Sequence, residues 1–354
     1  MGPTSEGPDS QALLGQARIA REQGRLADAR ERFQALLTRD LDATTKAEAR
    51  AGLASVLHMS GLSAEALVEF HLALELREQA ADLYGAAGIH LNLGLLWGDL
   101  GNQVAAFEHY EQASEILRQG GDPVRLLILH INLGRAHIEH GDLERGERIT
   151  REGLELVDAG TSVRHHTLLQ LNLAEALRRR QQLEEAAAHY LSVIEQATAH
   201  RMPYLKQRAL HGQALVQMAS GQHVKARELL FDALTMARQM NDLDAELLAM
   251  TGLAEVSLDA GQFGIALTDA ELVLIRAGEG ARKRFLVQGH ELMARACEGL
   301  NDYRCAYEHV GQARSLEQSL YAEDSQERIR ILQTKYDLDR QHSRHSRAGQ
   351  KEPS

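Results

Sequence analysis

The sequence predicts an all-α solenoid of about eight helix-turn-helix units, closed by a C-terminal capping or coiled-coil helix. Three observations carry that prediction. Turn glycines recur every forty residues, small residues flank each of them at fixed offsets, and the composition is that of a helical protein. Aromatic residues are 4% of the 354 residues and prolines number 5, while 44% are apolar, enough to bury a core packed through Ala and Leu.

The turn marks come first. Gly61, Gly101, Gly141, Gly221 and Gly261 keep the forty-residue register, Gln181 and Asn301 fill its remaining places, and Gly24 opens the series 37 residues before Gly61. Seven residues before each mark stands Ala17, Ala54, Gly94, Gly134, Ala174, Ala214, Ala254 or Ala294; five after it stands Ala29, Ala66, Ala106, Gly146, Ala186, Ala226, Ala266 or Ala306. Small residues on both sides of a short turn let two antiparallel helices approach closely. Nine after the mark, Phe33, Phe70, Tyr110, Tyr190, Leu230 and Val310 read as knobs between neighbouring units, with Thr150 and Ala270 as exceptions.

The connecting segments agree. "LGN" (100–102) and "HGD" (140–142) separate helices within a unit, and "GGDP" (120–123), "AGTS" (159–162) and "QMND" (239–242) offer caps between units. The expected organisation is a disordered tail over 1–10, an array over 11–318, a charged helix over 319–342 and a disordered tail over 343–354. In the charged helix, Ile329, Leu332 and Tyr336 form a stripe that either caps the last unit or pairs with a second copy as a homodimer.

The stretch "HLNLGLLWGDLGNQVAAFEHYEQA" (90–113) resembles the tetratricopeptide repeat family in its long, forty-residue form, through Leu93, Gly94, Trp97, Gly101, Ala106, Tyr110 and Ala113. The likeness extends over about residues 11–315 and departs from the family pattern at Gln181 and at Gly146 and Gly153. It is similar to the arrays of kinesin light chains, the spindle adaptor LGN and bacterial Rap-type and sensor proteins. That resemblance implies a right-handed superhelix whose concave face holds a peptide or protein segment.

Asn92, Asn132 and Asn172 recur at one repeat position, although an interior Asn costs about 0.6 kcal/mol against Ala in a helix. Residues two apart on a helix are separated by about 200°, so Asn92 points away from Gly94. The stripes Gly88, Asn92, Leu95, Asp99, then Ile128, Asn132, Arg135, Glu139, then Leu168, Asn172, Glu175, Arg179, are expected to line the groove. Side-chain amides at regular intervals suit an extended peptide backbone; a purely structural ladder is the other use. Arg135, Arg178 and Arg179 are placed to grip an acidic ligand residue, and Glu139 and Glu175 to pair with them at rest. The Lys and Arg set of a carboxylate clamp is incomplete.

A net charge of -11 and a pI near 5.9 speak against nucleic-acid and anionic-membrane partners. Cys297 and Cys305, eight apart in helical sequence, suggest no disulfide framework and fit a reducing cytoplasm. His90, His130 and His290 share a repeat position and read as helix-contact residues; "HIEH" (137–140) lacks a third metal ligand. No nucleotide-binding or hydrolase motif appears. The expectation is a cytoplasmic, non-enzymatic scaffold or regulator without cofactor. The alternatives are a bacterial sensor transmitting through its last helix, and a Rap-like phosphatase, which the resemblance ties to a separate N-terminal bundle.

Overall fold

The structure, a computed structural model, describes residues 8–120, 122–158 and 162–349. These residues form sixteen α-helices and no strand, paired into eight hairpins. The first three hairpins are α1 (Pro8–Glu22) with α2 (Leu26–Leu37), α3 (Ala43–Met59) with α4 (Ser63–Gln79), and α5 (Leu83–Asp99) with α6 (Gln103–Arg118). Then come α7 (Pro123–His140) with α8 (Leu143–Glu155), α9 (Val163–Arg179) with α10 (Leu183–Ala199), and α11 (Pro203–Ala219) with α12 (His223–Gln239). Last are α13 (Leu243–Asp259) with α14 (Phe263–Glu279), and α15 (Lys283–Gly299) with α16 (Tyr303–Gly349). The chain divides into two compact units, one of Met1–Asn132 with Ser325–Ser354 and one of Leu133–Asp324. Within the first unit α1 to α6 pack each on the next, and within the second α8 to α15 do the same.

Every mark is left-handed, with φ from 61° at Asn301 to 93° at Gly141. That conformation closes the first helix of a hairpin, because the following N–H reaches the carbonyl five residues back: Leu62 to Leu57 at 2.9 Å, Gln262 to Ser257 at 2.8 Å. Glycine enters this region freely, which explains the forty-residue series. A second series, between hairpins, was legible only at "QMND": Ala81, Arg201, Asn241 and Ala281 are also left-handed, at φ 51–53°, without being glycine. Gln181 bears the same strain at φ 63°. An L-residue there costs about 1–2 kcal/mol, partly offset by the flexibility that Gly adds to the unfolded chain. Gln181→Gly is therefore expected to raise stability by about 0.5–1 kcal/mol, read as a higher denaturant midpoint; an unchanged or lower midpoint contradicts this.

Asn102, Asp142 and Asp242 cap the helices that follow them, accepting from Ala105, Arg145 and Ala245 N–H groups. Asp122 accepts from Val124 N–H at 2.9 Å. Of "AGTS", residues 159–161 lie outside the described residues, and Ser162 caps with its backbone carbonyl alone.

The knobs pack as expected. Phe33, Phe70, Tyr110, Tyr190 and Leu230 are buried, and all but Phe70 have a glycine against them. A Cβ on Gly94 would come within 2.5 Å of the Tyr110 ring of its own hairpin, and one on Gly212 within 2.3 Å of the Tyr190 ring of the preceding hairpin. Val310, on the last described hairpin, is instead exposed.

Two expectations are corrected near the C-terminus. Cys297, in the last turn of α15, is disulfide-bonded to Cys305, in the first turn of α16, with Cα atoms 5.8 Å apart. Positions four before and four after the mark face each other across the hairpin, which spacing along the sequence does not reveal. The helix expected over 319–342 is not separate: α16 runs unbroken from Tyr303 to Gly349. In the first unit, its Arg330 pairs with Glu65 at 3.0 Å and Ile331 is 2% exposed, whereas Ile329 of the expected stripe is exposed. The side chains of Leu332 and Tyr336 lie outside the described residues.

Candidate functional site

The first helices of the hairpins carry the asparagine position, and glycines in the flanking hairpins reveal its direction. A Cβ on Gly52, Gly212 or Gly252 would meet Phe33, Tyr190 or Leu230, the knob of the preceding hairpin. The position therefore faces back toward the preceding second helix, at the edge of the first-helix face. Asn92 and Asn132, in the first unit, are half-buried there; Asn172, in the second, is 5% exposed.

The remaining members of the stripes fall into three groups. Leu95, Ile128 and Leu168 are half-buried, and Leu168 packs on the core of Leu171, Leu173 and Tyr190. Asp99 is exposed and holds His58 of the preceding first helix at 2.9 Å. Arg179, at the equivalent place, donates to the Ile138 carbonyl. Both residues thus tie adjacent first helices together. Arg135 pairs with Glu139 at 3.0 Å and Arg178 with Glu175 at 2.7 Å, the resting arrangement the sequence suggested.

Glu175 is less available than its wheel position implies. It accepts from Arg178 Nε at 3.0 Å and from the Tyr190 hydroxyl at 2.8 Å. Burial drives its carboxyl up, but the bonds and charge of Arg178, with Tyr190 and Arg179, outweigh that and hold it below the usual range. Burial and the facing carboxylate push the Tyr190 phenol up. Beside them His211 is pushed down to about 4, by burial first and then by the Arg178 charge. Glu175, Arg178, Tyr190 and His211 form one polar cluster inside the second unit.

The histidines make a second pattern. His90 and His109 share an Nδ1 to Nδ1 hydrogen bond of 3.0 Å, and His290 and His309 repeat it at 2.9 Å, each pair with stacked rings. One ring must accept with a lone pair, so each bond requires a neutral imidazole. His130, at the same repeat position, instead donates to the Leu126 carbonyl. Among the described residues no group of three His, Cys, Asp or Glu is arranged to hold a metal ion, and no helix is long and apolar enough to cross a membrane.

The structure also assembles a feature the sequence reading missed. On the first-helix face of the first unit, an open cleft of about 240 Å³ is lined by Arg18, Arg77 and Arg125, with Gly85, Gly88 and Asn92. The signal was present as two glycines three apart in α5, where every other hairpin from α3 onward carries at least one large side chain.

Comparison with known proteins fits this geometry. Residues 10–35 and 167–191 match the family model described as tetratricopeptide repeat. No curated protein matches the chain. Among solved structures, the apo form of the quorum sensor NprR from B. thuringiensis superposes with a TM-score of 0.69 at 13% identity, covering 87% of each chain. A Rap protein complexed with competence and sporulation factor gives 0.61 at 13% identity, over 94% of this chain and 99% of that one. The signal transduction ATPase with a tetratricopeptide repeat sensor from Pyrococcus horikoshii gives 0.65 at 16% identity over 91% of this chain, which spans 50% of that protein's length. At these identities the likeness is one of fold: the chain is a helical solenoid similar to those of tetratricopeptide repeat proteins, and two of its segments match the model of that repeat.

Proposed function

We propose that the protein is a non-enzymatic, cytoplasmic scaffold or regulator, bacterial in type, that holds an extended peptide or protein segment on its first-helix face. The observation that carries this reading is Asn92 lining an open cleft on that face. A half-buried amide beside free volume offers one donor and one acceptor to a passing peptide backbone. In the same unit Asn132 is half-buried at the same repeat position, while Asn172, 5% exposed in the second unit, holds that position inside the packing; Leu95, Ile128 and Leu168 assist, with Arg135, Arg178 and Arg179 setting charge preference against Asp99, Glu139 and Glu175. The fold shared with a Rap protein in complex with its factor, and with a quorum sensor, supports the reading.

The test is a cross-linked capture from the source cell, comparing wild type with an Asn92→Ala, Asn132→Ala, Asn172→Ala variant of equal circular dichroism. Loss of about tenfold of a captured partner is expected, about 1.4 kcal/mol. Equal capture by both proteins removes the amides from recognition.

A second reading, a sensor that transmits through its last helix, is favoured by α16. In the second unit this helix exposes Tyr303, Val310 and Tyr307, the last 81% exposed, a face suited to a homodimer contact. A fold-level likeness to aspartyl phosphate phosphatase F from Bacillus subtilis keeps the phosphatase reading third; phosphate release from a phosphorylated response regulator is what would support it.

A further inference from the structure

The cleft beside Asn92 is built by deletion of side chains. At the two repeat positions that α5 fills with Gly85 and Gly88, α3 has Thr45 and Glu48, α7 has Arg125 and Ile128, α9 has His165 and Leu168, and α15 has Phe285 and Gln288. A Cβ on Gly85 would meet Asp82 Oδ2 at 2.3 Å and Arg77 Cδ at 2.5 Å, so only glycine admits the Arg77 stem against α5. A Cβ on Gly88 would meet nothing nearer than the Arg125 guanidinium, at 3.7 Å from Nε. Gly85 seats an arginine, and Gly88 leaves the space in front of another one empty.

Of the arginines around that space, Arg77, Arg18 and Arg125 are incompletely matched. Arg77 is 8% exposed, and although it reaches Asp82 at 2.5 Å and Glu48 at 3.5 Å, its Nε–H is buried without a hydrogen-bond partner. Arg18 shares the same Glu48 carboxylate at 2.8 Å. Arg125 donates to the Tyr84 carbonyl and stands 3.8 Å from Asp122, a long contact. Asp82 and Asp122 are also occupied as helix caps, for Gly85 and Val124. Glu48 is thus the one carboxylate lining a cleft that several guanidiniums face, in a chain whose net charge is -11. Guanidiniums present forked donors that match a carboxylate, and a half-desolvated one gains most from a second acceptor.

We infer that this cleft is a subsite for an acidic side chain of the bound segment, its carboxylate seated over Gly88 and met by Arg77, Arg125 and Arg18. The inference rests on the peptide-binding reading and names the chemistry of one of its positions. Asn92 then takes the backbone next to that acidic residue.

The probe is fluorescein-labelled hexaglutamate, with a labelled glycine-serine hexapeptide as the neutral control, followed by fluorescence anisotropy on the full chain. Wild type is expected to bind hexaglutamate and not the neutral peptide. Arg125→Gln and Gly88→Leu are each expected to weaken binding about tenfold at unchanged circular dichroism, the second without removing any charge. Arg148→Gln, an exposed arginine of the second unit, is expected to change nothing. Absence of hexaglutamate binding, full binding by Gly88→Leu, or equal loss in Arg148→Gln overturns the subsite. Equal binding of both peptides also overturns it, while leaving the peptide-binding reading standing on the asparagine capture experiment. Displacement of hexaglutamate by inorganic phosphate at lower concentration than by free glutamate reassigns the cleft to phosphate and overturns the carboxylate proposal.

Discussion

Acidification from pH 7 to pH 4 is expected to remove about 2–3 kcal/mol of stability through each of two imidazoles, His90 in the first unit and His211 in the second. Both are pushed from 6.5 down to about 4: His90 by burial and then by His71, His211 by burial and then by Arg178. In the unfolded chain each takes a proton near pH 6.5, whereas the folded chain refuses it until about 4. Stability from these groups is therefore complete above pH 6.5, declines between 6.5 and 4, and is constant below. The paired carboxylates act later. Glu147, Glu175 and Glu246 have folded values held below 4.5, so their contribution persists until the pH falls past that point. Guanidinium midpoints at pH 7, 6, 5 and 4 measure the effect, and His90→Gln and His211→Gln should each flatten the decline. A midpoint that does not move until pH 4.5 would mean that neither imidazole is held neutral by the fold.

Truncation of Tyr190 carries the other large effect. Its ring is 1% exposed, fills the space left by Gly212 of the next hairpin, and donates its hydroxyl to Glu175. Tyr190→Ala is expected to cost about 3–5 kcal/mol, because the lost burial is joined by a cavity between hairpins. Tyr190→Phe keeps the ring and removes the donor, for about 1–2 kcal/mol. The ratio of the two losses, read from chemical denaturation, separates packing from hydrogen bonding. If Tyr190→Phe costs as much as Tyr190→Ala, the cluster with Glu175 and Arg178 carries the weight and the ring does not. Refilling the alanine variant with Gly212→Leu should recover part of the loss, and no recovery would contradict the ring-against-glycine contact.

Much of the fold was legible because its rules are local. A left-handed turn favours Gly, so Gly61, Gly101 and Gly141 announced themselves; Tyr110 could be read as a knob, but that Gly94 of its own hairpin receives it could not. The turns at Ala81, Arg201 and Ala281 were hidden, since their conformation is maintained by helix-end hydrogen bonds at a cost that composition does not display. Site residues were legible as positions on a helical wheel and much less as available groups. Glu175 lies on the expected stripe, yet the hydroxyl that holds it comes from α10, fifteen residues later. Arg18, Arg77 and Arg125 come from three different helices, and only their convergence on Gly85 and Gly88 marks them. Cys297 and Cys305 were read as separate thiols because a turn's geometry, more than the number of intervening residues, decides which side chains meet.

The matching of each knob with the residue that receives it also writes an order into the chain. Phe33 is followed by Gly52, Tyr190 by Gly212 and Leu230 by Gly252, whereas the small Ala270 is followed by Leu292 in the same apolar cluster. Large meets absent, and absent meets large. Each of these four junctions is in this sense a lock cut for one key. A hairpin moved to another place in the series would bring two bulky groups together or leave a hole, so the modules are alike in backbone and yet not interchangeable.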